Sequence, residues 1–138
     1  MLIDQDIIAQ RLERLKVYVK QLRIIQKNGK KKVCKNPVSY AAMERYLQLA
    51  SECVLAVGNH VIAGLNLRKP STYEHIMQIL ADEKLIAKKV LLASKTIPSL
   101  RSLLVHDYDA VNKEKMFDAG KNVVRSFEDL AKAYQKFL

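Results

Sequence analysis

Apolar residues recur at alternating steps of four and three near both ends of the chain, which is the spacing of one narrow helical face. The first seam lies in residues 4–26 and consists of Ile8, Leu12, Leu15, Val19 and Leu22. The second lies in residues 112–137 and consists of Met116, Gly120, Val123, Phe127, Leu130, Tyr134 and Phe137. The pattern predicts a first helix from Asp4 to Gln26 and a last helix from an Asn112 cap to Phe137.

Residues 37–64 are apolar on most sides, as in a helix at the centre of a bundle. An Asn-Pro dipeptide at their start supplies an N-cap and a proline at the first helical position. Glu52, Asn59 and His60 interrupt the apolar pattern. A buried polar group needs a partner, so each is either paired within the fold or turned toward a site. For His60 we favour pairing within the fold.

Two shorter helices are predicted between the central helix and the last one. The sequence STYE fits a capping box with Ser71 as N-cap, which opens a helix to about Ala81. Asp82 is the expected cap of the next helix, and that helix should kink or break at Pro98. The sequence therefore predicts an all-α fold, an antiparallel bundle of about five helices with short connections.

The composition agrees with a helical protein that has a sizeable core. The chain has 138 residues, of which 49% are hydrophobic, with 4 glycines and 3 prolines, and we expect residues 1–138 to form a single domain. No apolar run approaches the roughly 18 residues of a membrane span, and the N-terminus is unlike a signal peptide. A cytoplasmic protein without a membrane partner is therefore expected.

Neither the cysteines nor the histidines have the spacing of a metal site. Cys34 and Cys53 are two reduced thiols on this interpretation, and the three histidines are scattered along the chain. We therefore predict no metal and no cofactor.

The formal charge of +10 and the pI of about 9.7 favour a polyanionic partner such as RNA, DNA or an acidic protein surface. The densest basic segment is QKNGKKKVCKN, which the repulsion between like charges and the Asn-Gly turn signal predict to be an exposed loop. Lys30, Lys31 and Lys32 could contact RNA phosphates there. A solvated loop without a ligand explains the segment equally well.

The segment IPSLRSLLVHDYDAVN carries the most distinctive chemistry of the chain. On a regular helix Arg101 and His106 lie about 140° apart, whereas Ser102 and His106 share a face. Within one chain, Arg101 and His106 would therefore point in different directions and could not easily contact the same substrate group. Two chains related by a two-fold axis would line one cleft with both pairs, which indicates a homodimer.

Arginine and histidine together suit the cleavage of RNA. Histidine, with a reference pKa of about 6.5, can take a proton from a 2′-hydroxyl or give one to a leaving 5′-oxygen. Arginine presents donors that match phosphate oxygens and can stabilise a pentavalent phosphorus. The two side chains suffice for cleavage without a metal, and Asp107 could orient His106. DNA lacks the 2′-hydroxyl and could not react in this way.

The segment LRSLLVHDYDAVN resembles the signature of the HEPN superfamily, and more narrowly that of HepT-type toxins, in which an arginine, four residues, a histidine, any residue and a tyrosine follow one another. The pattern falls on Arg101, His106 and Tyr108. The stretch YAAMERYLQLASECVLAVGNHVIAGLNLRKPSTYEHIMQILADEKLI is similar to the second helix of that family and the segment after it. The resemblance covers most of the chain in order.

The resemblance implies a dimerising helical bundle in which Arg101 and His106 of both subunits form one metal-independent RNase site. It also implies a MntA-like minimal nucleotidyltransferase as antitoxin, which adenylylates the tyrosine of the motif, here Tyr108. Added phosphates beside the cleft would repel RNA and block the site. Tyr108 would then act as a switch.

Three positions depart from the family pattern, and they keep other functions open. Ser102 replaces the usual asparagine after the arginine, Leu100 replaces a common aromatic residue, and Pro98 stands where a helix or a glycine is expected. Serine has fewer hydrogen-bonding groups than asparagine, so Arg101 or His106 would be held more loosely. The alternative is an inactive HEPN bundle that only binds the nucleotidyltransferase or nucleic acid. A DNA-binding, membrane-surface or metalloenzyme function has weaker support.

Overall fold

Helices make up nearly all of the structure, which is a computed structural model and describes residues 3–106 and 112–138. Seven α-helices and one 3-10 helix occur in these ranges, without a strand. They are α1 (Gln5–Lys27), α2 (Lys30–Lys35), α3 (Pro37–Gly64), α4 (Tyr73–Asp82), α5 (Lys88–Ser94), α6 (Thr96–His106), α7 (Lys113–Tyr134) and the 3-10 helix Gln135–Phe137. The predicted all-α bundle is confirmed, with two more helices than the five expected.

Helix α3 is the centre of the bundle, as its apolar sequence predicts, and it contacts α1, α2, α4, α6 and α7. Gly58 lets two of these helices approach closely. A Cβ atom at this position would lie 2.7 Å from Ile76 Cγ2 on α4 and 2.9 Å from the Tyr134 hydroxyl on α7. That hydroxyl donates a hydrogen bond of 2.8 Å to the Val54 carbonyl, so a buried polar atom is paired.

Three helices begin at side-chain caps, two of which, Asn36 and Asn112, are predicted from the sequence. Asp4, Asn36 and Asn112 each accept hydrogen bonds from two backbone N–H groups in the first turn of the following helix. These bonds satisfy donors that have no partner inside the helix. The predicted bounds of the first and central helices are confirmed within one residue. The last helix begins as predicted, but its α-helical part ends at Tyr134, and the 3-10 helix Gln135–Phe137 continues it to the predicted end.

The basic segment forms helix α2, so the prediction of a loop was wrong, whereas the predicted exposure of its lysines is confirmed. Gly29, with φ 89°, turns the chain ahead of the helix. Val33 is fully buried and anchors the segment in the core. Lys30 Nζ lies 3.0 Å from the Asp118 carboxylate on α7, so part of the charge that disfavours a helix is neutralised. Burial and pairing across the fold outweigh the local repulsion.

The caps predicted for the two shorter helices were also wrong. Thr72, and not Ser71, is the N-cap of α4, where its hydroxyl accepts from the backbone N–H of His75. Asp82 is the last residue of α4 and caps no helix. Its carboxylate accepts instead from Gln78 at 2.8 Å and pairs with Arg68 at 2.6 Å. A turn over residues 83–86 separates α4 from α5, whose N-cap position is Ala87.

The predicted break near Pro98 is confirmed, and it falls three residues before the proline. Helix α5 ends at Ser94, Lys95 forms a turn, and α6 begins at Thr96. Pro98 is thus the third residue of α6, in the first turn, where the backbone N–H groups have no partner inside the helix. The break starts a new helix, on which Arg101 lies in the second turn.

Candidate active site

Arg101 is held by one residue from α3 and one from α4. Its guanidinium nitrogen Nη2 lies 3.9 Å from Glu52 Oε1, and its Cζ atom lies 4.7 Å from the centroid of the Tyr73 ring. A cation over an aromatic face is attracted by the ring quadrupole. The Arg101 side chain is 22% exposed, so the guanidinium is positioned by the fold and still reaches solvent.

Glu52 belongs to a row of polar side chains along one face of α3. Gln48 Nε2 donates to Glu52 Oε1 at 3.3 Å, and Arg45 Nη1 donates to Gln48 Oε1 at the same distance. Residues three and four apart share a helix face, so the row leads along α3 to Arg101. The sequence predicts that Glu52 has a partner or faces a site, and here it does both.

Arg101 forms part of the wall of a cleft of about 850 Å³ between α3, α4 and α6. We call this the α3–α4–α6 cleft. It is lined by Glu52, Leu55, Ala56, Asn59, Lys69, Pro70, Ser71, Thr72, Tyr73, Glu74, Ile76, Pro98, Arg101 and Ser102. Its walls therefore combine apolar side chains, an aromatic ring, hydroxyl and amide groups, and both signs of charge.

The other motif residues have different relations to this cleft. Ser102 is exposed and lines it beside Arg101. His106 is the last residue of α6, about 7.5 Å along the helix axis from Arg101 and about 140° around it. The His106 side chain, Asp107 and Tyr108 lie outside the described residues, so their predicted roles stay predictions.

The three lysines proposed for phosphate contacts lie on α2 and do not line the cleft. Lys31 and Lys32 are exposed. The hydrogen bond from Lys30 to Asp118 raises the pKa of that lysine and engages it within the fold. His60 also has a partner, since its Nε2 accepts from the Asp4 backbone N–H at 3.0 Å. Pairing of His60 within the fold is confirmed.

Tyr73 and Lys69 are cleft residues that the sequence analysis did not single out. Tyr73 begins α4, and the next turns of that helix bury Ile76, Met77 and Leu80 against the core. The cap residue Thr72 fixes where the helix starts, and so it fixes the ring at the mouth of the cleft. The sequence signal that could have identified Tyr73 is an aromatic residue directly after a helix cap. The predicted cap, Ser71, lies one residue before the observed cap, Thr72.

The described part of the chain contains no group of three or more histidine, cysteine, aspartate or glutamate side chains placed to hold a metal ion. None of its helices is both long and apolar enough to cross a membrane. Cys34 and Cys53 are free, and the Cys53 thiol donates to the Arg11 carbonyl at 3.0 Å.

The fold defines the class as an all-α helical bundle, and solved structures that share it include a HEPN toxin and the protein YutE. The tri-AMPylated HEPN toxin of Shewanella oneidensis, solved with its MNT antitoxin, has a TM-score of 0.86 and 20% identity, covering 96% of this chain and 99% of that chain. The cytosolic protein YutE of Bacillus subtilis has a TM-score of 0.84 and 26% identity, covering 99% and 91%.

Sequence comparison identifies the family within this class. Residues 6–134 match the family described as Ribonuclease HepT-like. YutE of Bacillus subtilis strain 168, named as a candidate RNase, is 31% identical over 97 residues, which are 70% of this chain and 67% of YutE. The chain belongs to the HepT-like ribonuclease family.

Proposed function

We propose that this protein is the RNA-cleaving toxin of a toxin–antitoxin pair, with Arg101 and His106 as its catalytic residues. The observation that carries the proposal is the placement of Arg101. In a chain of the HepT-like ribonuclease family, the motif arginine is held between Glu52 and Tyr73 at the wall of an open cleft. A guanidinium fixed in this way can bind a phosphate without first being ordered.

The reaction is cleavage by the neighbouring 2′-hydroxyl. His106 takes the proton of that hydroxyl, the 2′-oxygen forms a bond to phosphorus, and the bond to the 5′-oxygen breaks. The leaving oxygen receives a proton from a second, protonated histidine. Arg101 stabilises the charge on the phosphorane oxygens, and Asp107 orients His106. The products are a 2′,3′-cyclic phosphate and a 5′-hydroxyl, and no step needs a metal.

A homodimer supplies the second histidine. The angular separation of about 140° on α6 keeps Arg101 and His106 of one chain from facing the same substrate atom. A two-fold axis near the end of α6 would bring both pairs to one cleft. Each chain, residues 1–138, acts as one domain in this assembly.

The proposed partner is a MntA-like minimal nucleotidyltransferase that adenylylates Tyr108. The fold relative from Shewanella oneidensis is AMPylated and bound to an MNT antitoxin, which supports this assignment. Tyr108 follows His106 by two residues, so the phosphate of each added AMP would lie beside the site and repel RNA. Lys30, Lys31 and Lys32 would contact RNA phosphates, and the pair would act in the cytoplasm.

The test is RNA cleavage in EDTA, with the parent protein beside His106→Ala. We expect cleavage by the parent alone, leaving 2′,3′-cyclic ends, and a dimer mass by light scattering for both proteins. A parent that leaves RNA as intact as the His106→Ala variant does would rule out the ribonuclease. Loss of parent activity after incubation with the nucleotidyltransferase and ATP, with a mass gain in AMP units on Tyr108, tests the switch.

An inactive bundle that binds the nucleotidyltransferase is the second candidate. The observation in its favour is Ser102, which occupies the position of the usual asparagine next to Arg101 and lines the cleft. Replacing Ser102 with asparagine separates the two functions. If the parent is inactive and Ser102→Asn cleaves RNA, the scaffold is the native function.

A further inference from the structure

We propose that the α3–α4–α6 cleft binds the base of the RNA nucleotide next to the scissile phosphate and thereby sets the cleavage preference. This inference rests on the proposed function, because Arg101 connects the cleft to the reacting phosphate. Its volume of about 850 Å³ lies within the range of roughly 300 to 1,000 Å³ that is typical of small-molecule sites. A cleft of this volume has room for a nucleotide of an RNA chain.

The apolar part of the lining suits the faces of a base. Leu55, Ala56, Pro70, Ile76 and Pro98 line the cleft. Proteins that read single-stranded RNA splay out individual bases and stack them on aromatic side chains or on guanidinium planes. Both kinds of surface are present, since the Arg101 guanidinium lies over the Tyr73 ring.

Tyr73 keeps room for a ligand although Arg101 covers part of its ring. Tyr73 is 45% exposed. A base can stack on the uncovered part of the ring, or on the outer face of the guanidinium. Either arrangement leaves the Arg101 nitrogen atoms at the edge of the stack, where the adjoining phosphate would follow.

The charges of the cleft point to a base and away from a phosphate as its occupant. Glu52 and Glu74 line it together with Lys69 and Arg101, so two carboxylates offset two cations. Carboxylates repel a phosphate but accept hydrogen bonds from the amino groups of bases, as glutamate and aspartate do from the N4 amino group of cytosine. Asn59 adds an amide that can donate and accept. The expected preference is therefore for cytosine over uracil.

Binding of a non-cleavable RNA tests the cleft without depending on catalysis. The probe is a fluorescent 2′-O-methyl RNA hexamer that contains a single cytosine among uracils, compared with the all-uracil hexamer by anisotropy. We expect the parent to prefer the cytosine probe. Tyr73→Leu should weaken binding of that probe roughly tenfold, because the stacking surface is lost, whereas Tyr73→Phe should retain it.

A matched pair of asparagine variants separates the cleft from the rest of the surface. Asn59→Ala should reduce the preference for the cytosine probe, whereas Asn122→Ala should leave it unchanged. Both residues are exposed on long helices, and Asn122 lies on α7 outside the cleft. Thermal unfolding midpoints close to that of the parent would show that the variants are folded.

The outcomes distinguish this inference from the proposed function. If Tyr73→Leu keeps the parental affinity and Asn59→Ala keeps the parental preference while the parent cleaves RNA, the cleft binds no base and the ribonuclease stands. If the parent never cleaves RNA but binds the cytosine probe through Tyr73 and Asn59, the base site stands and the ribonuclease does not. Cleavage by Asn59→Ala with nearly equal rates at cytosine and uracil, where the parent prefers cytosine, would support both.

Discussion

Arg101 is constrained by two contacts that act on different parts of its side chain. The Glu52 oxygen Oε1 lies 3.9 Å from the guanidinium nitrogen Nη2, and the Cζ atom lies 4.7 Å from the centroid of the Tyr73 ring. Arginine carries its charge on a planar group with several donors, whereas lysine carries it on a single nitrogen. The positioning therefore depends on the shape of arginine as well as on its charge.

Replacing Arg101 with lysine should abolish most cleavage while keeping the charge. We expect the rate constant for RNA cleavage to fall roughly 100- to 1,000-fold, since a positioned donor to the transition state is lost. Single-turnover kinetics with saturating protein measures this directly. The matched control is Arg125→Lys on α7, where the parent side chain is 77% exposed and pairs with Asp129 one turn away. Comparable rate constants for RNA cleavage by the parent and by Arg101→Lys would show that Arg101 is not a catalytic residue.

The packing of α3 against α4 and α7 depends on the absence of a side chain at Gly58. Two atoms that approach this position, Ile76 Cγ2 and the Tyr134 hydroxyl, belong to buried side chains. A tightly packed interior has no free volume into which both could retreat. The contact fixes the distance between the helices, and α4 carries the Tyr73 side of the cleft.

Gly58→Ala should therefore destabilise the protein, although alanine favours a helix. Overpacking typically costs about 1 to 3 kcal/mol, against a gain in helix propensity of about 1 kcal/mol. We expect a net decrease of about 1 kcal/mol in the free energy of unfolding, measured by urea denaturation. Ala63→Gly, at an exposed position on the same helix, measures the propensity difference alone. An increase in the free energy of unfolding for Gly58→Ala would show that α3 can move away from α4 and α7 without an energetic cost.

Local signals predict some elements of this fold and fail for others. The caps Asp4, Asn36 and Asn112 act on the turn that follows them, so a short stretch of sequence contains all the participants. Helix α2 depends on Val33 reaching the core and on a partner on α7, which lies more than 80 positions away in the sequence. No local pattern contains such contacts.

The candidate site also has a part that local sequence predicts and a part that depends on contacts between helices. Arg101 and its position on a helix are predictable from the motif and from the periodicity around it. Its neighbours Glu52 and Tyr73 come from other helices, and only the packing of α4 and α6 on α3 brings them together. The sequence indicates that Glu52 needs a partner but cannot say which one.

At the scale of the whole molecule, helix α2 and the α3–α4–α6 cleft differ in charge, because the helix presents exposed lysines and the cleft carries both signs of charge. On α2 the lysines Lys31 and Lys32 are exposed, while Lys30 is paired with Asp118. A long RNA bound at the cleft could reach this helix only along the surface of the bundle. Contacts of this kind add affinity for any sequence and carry no base preference.

The double variant Lys31→Ala/Lys32→Ala should change the salt dependence of RNA binding. Each lost phosphate contact lowers the slope of log affinity against log salt by about 0.7 for single strands, so we expect a decrease of about 1.4. Filter binding of a long RNA over a salt series measures the slope. Lys88→Ala/Lys89→Ala, at two exposed adjacent lysines on α5, is the control. An equal slope for both double variants would mean that α2 makes no phosphate contacts.

The α3–α4–α6 cleft draws its lining from residues 52–59, 69–76 and 98–102. No short contiguous piece of the chain contains it, and a chain that ends before Arg101 lacks the proposed catalytic arginine as well. Almost three quarters of the 138 residues must therefore be synthesised before any of the proposed chemistry can exist. The proposed toxin would act only after most of its fold has formed, which is also the earliest form that the proposed antitoxin would need to recognise.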